Sequence, residues 1–386
     1  MIFRLLTLSI ALAGSPVLAQ TADAPKSEID VARDRMIAAK KYRVYYDKKF
    51  DLSGLPAYVP ESKISGTIRM RGANYFTDSP LAEWWAAEFQ KWHPDVKFDF
   101  HLKSSQHAIS SLIYGVSDIS PLGRLITNAE RLAFQREFNY QPLGVIAVTG
   151  SQTLSGWNPA VTVLVHKSNP LASISIDQLD GVFGAERTGG WPMLEWDTSM
   201  ARGPEKNIRK WGELGVKGAL AEKPIRVFGY TLKYNFPDEF HYKVFGGSFK
   251  WNEKLEEFAN KTAPDGSLYL AGSQMMHAVA KTPDAIAYAT GVIGELDPDV
   301  KVLPISPGPG RAAVAPTIEN IQDRSYPLAG EVYFYMNRKS GTPLDPKLRE
   351  FMRYVMSREG QAQVMRDGKY LPLTAELVAK GRKALD

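Results

Sequence analysis

Between Val96 and Lys103 the chain alternates strictly: Val96, Phe98, Phe100 and Leu102 are separated by Lys97, Asp99, His101 and Lys103. A period of two places these sets on opposite faces of a strand, one buried and one wet. Just upstream the period changes. Leu81, Trp84, Trp85, Phe89 and Trp92 recur at helical spacing behind Pro80, a residue suited to a first helical turn, and this predicts a helix with its tryptophans in the core. Ile64 to Arg71 reads as a strand and Gly72 to Ser79 as a loop. After Ser104 and Ser105 a short helix runs through Ile109, Leu112 and Ile113 until Gly115 ends it. Asp118 to Arg124 follows as a loop, and Thr127 with Glu130 forms a capping box for the next helix.

The second half repeats this alternation. Val161 to His166, Ile225 to Tyr230, Ile286 to Ala289 and Val300 to Leu303 are strand-like, with a helical pattern after Ser273. Pro304 to Gly310 reads as a loop, Tyr326 to Arg338 as a strand with its lead-in, and Asp345 and Pro346 begin a C-terminal helix through Phe351 and Val355. Strands alternating with helices predict parallel pairing in an α/β fold, with ligands at the carboxyl ends of the strands. Before all this lies a polar arm, with one helix expected around Ile29 to Lys41.

The first residues change the functional picture. Arg4 precedes an apolar run from Leu5 to Ala13, and Val17, Leu18 and Ala19 complete the pattern of a cleaved secretion signal. That run is too short to span a bilayer, so the expected product is a soluble periplasmic or secreted chain starting near Gln20. Export also removes ATP, which makes solute capture a better expectation than metabolism. The sequence holds no cysteine, which rules out disulfides, thiolate metal sites and thiol nucleophiles. Net charge is +5, lowered by one when Arg4 is removed, and no long block of like charge suggests nucleic acid. His101 and His107 fall on different elements without metal-ligand spacing, and no GxSxG string occurs. Neither a cofactor nor an enzymatic activity is expected.

Several strings, in this order, resemble the phosphate-binding proteins of ABC importers, a branch of the type II periplasmic binding proteins: DISPLGR at Asp118 to Arg124, VLVHKSNP at Val163 to Pro170, LDGVFG at Leu179 to Gly184 and WGELG at Trp211 to Gly215. YPL from Tyr326, VYFYMN from Val332, SREGQ from Ser357 and LPL from Leu371 continue the series. The resemblance implies two α/β lobes joined by two crossing segments, with the ligand in the cleft between them. It divides the chain into a signal peptide (1–19), an N-terminal arm (20–62), the first part of lobe 1 (63–158), lobe 2 (159–305) and a C-terminal return to lobe 1 (306–386). It also implies an importer permease as partner, and the expected state is a monomer.

Phosphate is held well by hydroxyls, helix N-terminal N–H groups and a guanidinium. The resemblance assigns Arg124 as that guanidinium and Asp118 as a carboxylate accepting the proton that phosphate carries and sulfate lacks; a plain ion pair between the two is the alternative. Ser104 and Ser105 match a donor loop, or else simply cap the short helix. Asn74 and Tyr75 stand where the family has its first donor loop. In lobe 2 the family's arginine and Ser-Gly-Thr run are missing after Tyr230; Thr231 and Tyr234 are the candidate replacements, with Lys233 and Asn235 beside them and a later cluster at Gly246, Gly247, Ser248 and Lys250 that also reads as a turn. The ligand is therefore expected to be phosphate or a related anion, including larger phosphorylated or carboxylated solutes. The competing expectations are a sensor or scaffold on the same fold and a secreted phosphate-ester hydrolase.

Overall fold

The computed structural model describes residues 25–153, 156–192, 194–291 and 296–386. The signal segment and its cleavage site lie outside the described residues. The helices are α1 (Glu28–Lys40), α2 (Tyr75–Asp78), α3 (Leu81–Phe89), α4 (Ala108–Ile113), α5 (Asn128–Phe138), α6 (Ile176–Phe183), α7 (Asn235–Val244), α8 (Ala271–Ala280), α9 (Ile318–Gln322), α10 (Pro346–Val355), α11 (Arg358–Asp367) and α12 (Ala375–Leu385). Strands β1 (Gly66–Gly72), β2 (Val96–Leu102), β3 (Ser120–Leu122) and β4 (Leu143–Thr149) belong to lobe 1. Lobe 2 holds β5 (Val161–His166), β6 (Ile174–Ser175), β7 (Arg226–Tyr230), β8 (Leu255–Phe258), β9 (Lys261–Thr262), β10 (Leu268–Tyr269), β11 (Ala285–Thr290) and β12 (Val300–Leu303). At the edge of lobe 2, β13 (Ile305–Ser306) pairs in parallel with β6, and β14 (Glu331–Met336) returns to lobe 1.

In lobe 1, β1 and β2 pair in parallel, while β14 lies antiparallel between β3 and β4. Lobe 2 is built on a five-stranded sheet in the order β12-β5-β11-β7-β8. Its β11-β7 and β7-β8 pairs are parallel, as expected, but β5 runs antiparallel to both its neighbours. The sheet is therefore mixed. β5 and β11 are apolar and almost wholly buried along their length, as strands covered on both faces must be.

Local chemistry sets several boundaries. The capping box at the start of α5 is formed, with Thr127 Oγ1 accepting from Glu130 N and Glu130 accepting from Thr127 N. Asp345 caps α10 with Pro346 in its first turn. Two segments read as loops carry short elements instead: α2 within Gly72 to Ser79, and β3 within Asp118 to Arg124. Of the three tryptophans expected in the core, Trp85 is buried; Trp92 lies beyond the end of α3 and is 39% exposed, and the Arg366 guanidinium covers Trp84 at 3.9 Å.

The arm is fixed to lobe 1 from residue 45 onward. Tyr45 N donates to Gly368 O, Tyr46 Oη donates to Tyr370 O, and Phe50, Leu52, Leu55 and Tyr58 join the core. The Tyr58 hydroxyl is buried between His93 Nε2 (2.7 Å) and Glu350 Oε2 (2.9 Å).

The chain crosses between lobes at 150–160 and again at 304–330, and the two crossings touch. Gly150 N donates to Gly330 O at 2.8 Å, and Val161 N to Leu328 O at 3.0 Å. A β-carbon on Gly150 would stand 1.9 Å from the Asn158 carbonyl oxygen, and one on Gly330 would stand 2.1 Å from the same atom. Gly150→Ala must therefore displace the Asn158 peptide within its own crossing and crowd Gly330 Cα of the other, 3.0 Å from the new β-carbon. We expect it to destabilise the chain by about 3 kcal/mol, in the range of overpacked, distorted interiors; a urea midpoint unchanged from wild type would show that the crossings yield freely.

Candidate functional site

The lobes face each other across a cavity of about 250 Å³. Lobe 1 contributes Tyr75 from α2, Ser105 and Gln106 from the turn before α4, Gly123 after β3, and Asn158 from the first crossing. Lobe 2 contributes Lys233, Tyr234, Asn235, Phe236 and Glu239 from the start of α7, with Asn260 after β8. Loops at strand ends bring these residues together from six separate stretches of chain.

Each polar group has a definable role. Ser105 Oγ accepts from Gly123 N at 3.3 Å, which leaves its own proton to donate. Asn158 Nδ2 donates to Glu331 O at 2.7 Å. Tyr234 Oη accepts from Asn260 N at 2.9 Å, again leaving a proton to give. Tyr234 is also the N-cap of α7 and makes no side-chain cap bond. The first-turn N–H groups of Asn235 and Phe236 thus point out of the helix end toward the cavity with the positive end of the helix dipole behind them. Pro237 supplies no third donor. Lys233 is exposed at the rim and has no ion-pair partner among the described residues.

Glu239 is the exception in this ring of donors. It is 4% exposed, and burial pushes its pKa up to about 7, although Lys243 Nζ at 3.2 Å attracts the charged form. Lys243 also donates to the Ala329 carbonyl in the second crossing. A carboxyl whose charged form burial disfavours therefore lines the cleft.

Of the eight residues singled out in the sequence, three line the cavity and five do not. Tyr75, Ser105 and Tyr234 line the cavity; Arg124 lies between the lobes but not in its lining. Asn74 bonds to Asp78, and Ser104 caps the following turn by accepting from Gln106 N at 3.2 Å. Thr231 spends its backbone N–H on Phe258 O and its carbonyl on Tyr234 N. None of these three lines the cavity. The Gly246–Gly247 segment forms a left-handed turn, with Ser248 and Lys250, in a separate depression beside Trp191.

Asp118 is engaged elsewhere. Its carboxylate accepts from Arg69 N (2.8 Å), Nε (3.1 Å) and Nη2 (2.7 Å). Burial alone would raise its pKa, yet the Arg69 donors hold it below the usual carboxylate range. The ion pair foreseen as the alternative exists, but with Arg69 and not Arg124. Asp118→Asn is accordingly expected to leave the ratio of phosphate to sulfate affinity unchanged; a ratio shifted by more than about tenfold would restore Asp118 to the site.

Arg124 is 5% exposed and makes a bidentate pair with Glu130, Nη1 to Oε2 at 2.8 Å and Nη2 to Oε1 at 3.0 Å. Its Nε lies 3.6 Å from Asp238 Oδ2 of α7, across the cleft. Burial works against the charge, but Glu130 and Asp238 keep the guanidinium pKa above its ordinary value. Next to it Asn128 N donates to Tyr242 Oη, and Asn128 Nδ2 to Trp191 O, both at 2.7 Å. These contacts fasten the lobe 1 helix α5 to the lobe 2 helix α7.

Asn158, Phe236, Glu239 and Asn260 were not foreseen. Glu239 carries the one signal that sequence could have used: an acid at the fifth position of a helix opened by Tyr234 and Asn235.

A cleft between two α/β lobes, crossed twice by the chain and lined by neutral donors at a helix start, defines a solute-binding architecture. The chain belongs to the PBP superfamily, whose domain description matches residues 60–359. It is 26% identical over 332 residues to the phosphate-binding protein PstS of Pseudomonas aeruginosa, spanning 86% of this chain and 90% of that protein. To protein SphX of Synechococcus elongatus it is 23% identical over 302 residues, 77% of this chain and 75% of the other. Among solved structures, a possible phosphate-binding protein from Planctomyces limnophilus aligns over 84% of this chain and 98% of its own, with 20% identity and a TM-score of 0.47.

Proposed function

We propose that this chain is an exported solute-binding protein that captures phosphate or a related oxyanion between its lobes and hands it to an ABC importer permease. The observation that carries the reading is the uncapped start of α7, Asn235 and Phe236, facing Ser105 and Tyr75 of lobe 1 across the cavity, with Lys233 at its rim. Backbone N–H groups, hydroxyls and amides neutralise an oxyanion without fixing it too tightly to release. Similarity to a phosphate-binding PstS over most of both chains supports the same class of ligand. The contacts of Arg124 and Asn128 with α7 then hold the lobes shut rather than grip the anion. Glu239 takes the part the sequence suggested for Asp118: a carboxyl lining the cleft that can accept a proton from a ligand still carrying one, and that repels one without. Export rests on the signal-like Met1 to Ala19, and no helix among the described residues is long and apolar enough to cross a membrane.

The test is calorimetric titration of the chain from Gln20 onward, freed of bound anion, with phosphate. Binding is expected, and Lys233→Ala should weaken it by about tenfold, the loss of one partly exposed charge-assisted contact. No heat of binding with phosphate would reject the reading, and an unchanged affinity in the variant would remove Lys233 from the site.

A further inference from the structure

The cleft continues beyond the anion site. Tyr75, Phe236 and Asn260 also line a second cavity of about 110 Å³, so the two spaces share a wall. The chemistry changes at that wall. On the far side stand Trp157, Leu270 and, from the arm, Met36 and Ile37. Tyr75 and Trp157 are stacked with ring centroids 4.8 Å apart and planes 3° from parallel, so each covers one face of the other, and half-buried Tyr75 borders both cavities.

The roof of this second cavity is α1. Anchored to lobe 1 through residue 45 and beyond, it reaches the β9-β10 hairpin of lobe 2, where Leu268 lines the same space. Its seat is shallow. Ala32 is its one buried residue, Met36 and Ile37 are half-buried, and Arg33 meets Asp78 at 3.5 Å in an exposed pair of little strength. A helix seated in this way can lift without breaking the core.

An inorganic oxyanion at the start of α7 would leave Met36 and Ile37 of the roof and Leu268 and Leu270 below them with nothing to contact. At roughly 30 Å³ per water-sized group, the second cavity has room for about four such groups, a short chain. We infer that the ligand is a phosphate monoester with a short apolar chain, its phosphate at Ser105 and the first turn of α7, its organic group beside Tyr75 beneath α1. This rests on the anion-binding reading above and narrows its substrate class.

The experiment compares inorganic phosphate, methyl phosphate and n-butyl phosphate by calorimetry on the full chain from Gln20, and repeats the series on M36A/I37A, a change at the half-buried face of α1 that leaves the core intact. Butyl phosphate should bind at least about tenfold more tightly than inorganic phosphate, as burial of a short alkyl chain requires. The double variant should lose several-fold in butyl phosphate affinity and none for inorganic phosphate. If inorganic phosphate bound as tightly as butyl phosphate, or the variant weakened both alike, the ester proposal would fall while the anion site stood. If none of the three bound, the anion site and the ester proposal would fall together.

Discussion

Arg124→Ala is expected to unfold this chain more easily rather than simply to empty its cleft, with a loss of about 3–5 kcal/mol in urea denaturation, the cost of removing one member of a buried ion pair. The reason is the company the guanidinium keeps. Both terminal nitrogens are committed to Glu130, which itself accepts from Thr127 N and Oγ1 to start α5. Without the arginine, Glu130 retains its cap bonds but loses its countercharge in a partly buried site, and Asp238 loses its neighbour across the cleft. Replacing both members, Arg124→Met with Glu130→Gln, should recover a large part of the loss, because the uncompensated charge disappears with its partner. A single variant as stable as wild type but unable to bind anion would contradict this account and return Arg124 to the ligand.

The second large effect is a pH dependence that comes from Glu239. Its carboxyl pKa, raised by burial from 4.5 to about 7 in the folded chain, means that the folded state holds a proton that the unfolded state releases. Its contribution to stability is therefore fully present below pH 4.5 and is lost as pH rises through about 7. A shift of this size corresponds to about 3 kcal/mol. Measured against Glu239→Gln, which does not titrate, wild type should lose roughly that much stability between pH 4.5 and pH 8. The difference between the two proteins isolates this one group, since other titrations are common to both. A difference constant across that range would mean that Glu239 is charged throughout and that Lys243, not burial, controls it.

How far the sequence reveals the fold depends on how local each signal is. The alternation of Val96 to Leu102 and the Thr127–Glu130 pair are contained within a few residues, and strand β2 and the capped helix α5 appear where those patterns lie. Strand direction is not local. β5 and β11 are continuous apolar runs that look the same read either way, so alternation with helices suggested a parallel sheet where the crossings impose an antiparallel β5. The short α2 was hidden because Tyr75 to Asp78 is a single turn, too brief for a helical period.

The site divides along the same line. Tyr75, Ser105 and Tyr234 could be singled out because each sits at the end of a strand-like segment, where α/β folds gather their ligands. Asn158 could not, since its place is set by the two glycines packed on its carbonyl from different crossings. Asp118 and Arg124 looked like partners of a ligand because the motif shows their spacing and not their neighbours. Arg69 sits on the adjacent strand and reaches Asp118 only through the sheet. Glu130 was legible as a cap, yet that same geometry turns its carboxylate back toward residue 124, a consequence the motif alone does not display.

The most direct test of the central claim is a crystal structure of the chain from Gln20 grown with phosphate. The account predicts density for the anion between the lobes, within hydrogen-bonding distance of Ser105 Oγ and the backbone N–H groups of Asn235 and Phe236, with Arg124 still paired to Glu130. Phosphate bound instead against Arg124 or Asp118, with those ion pairs opened, would contradict it.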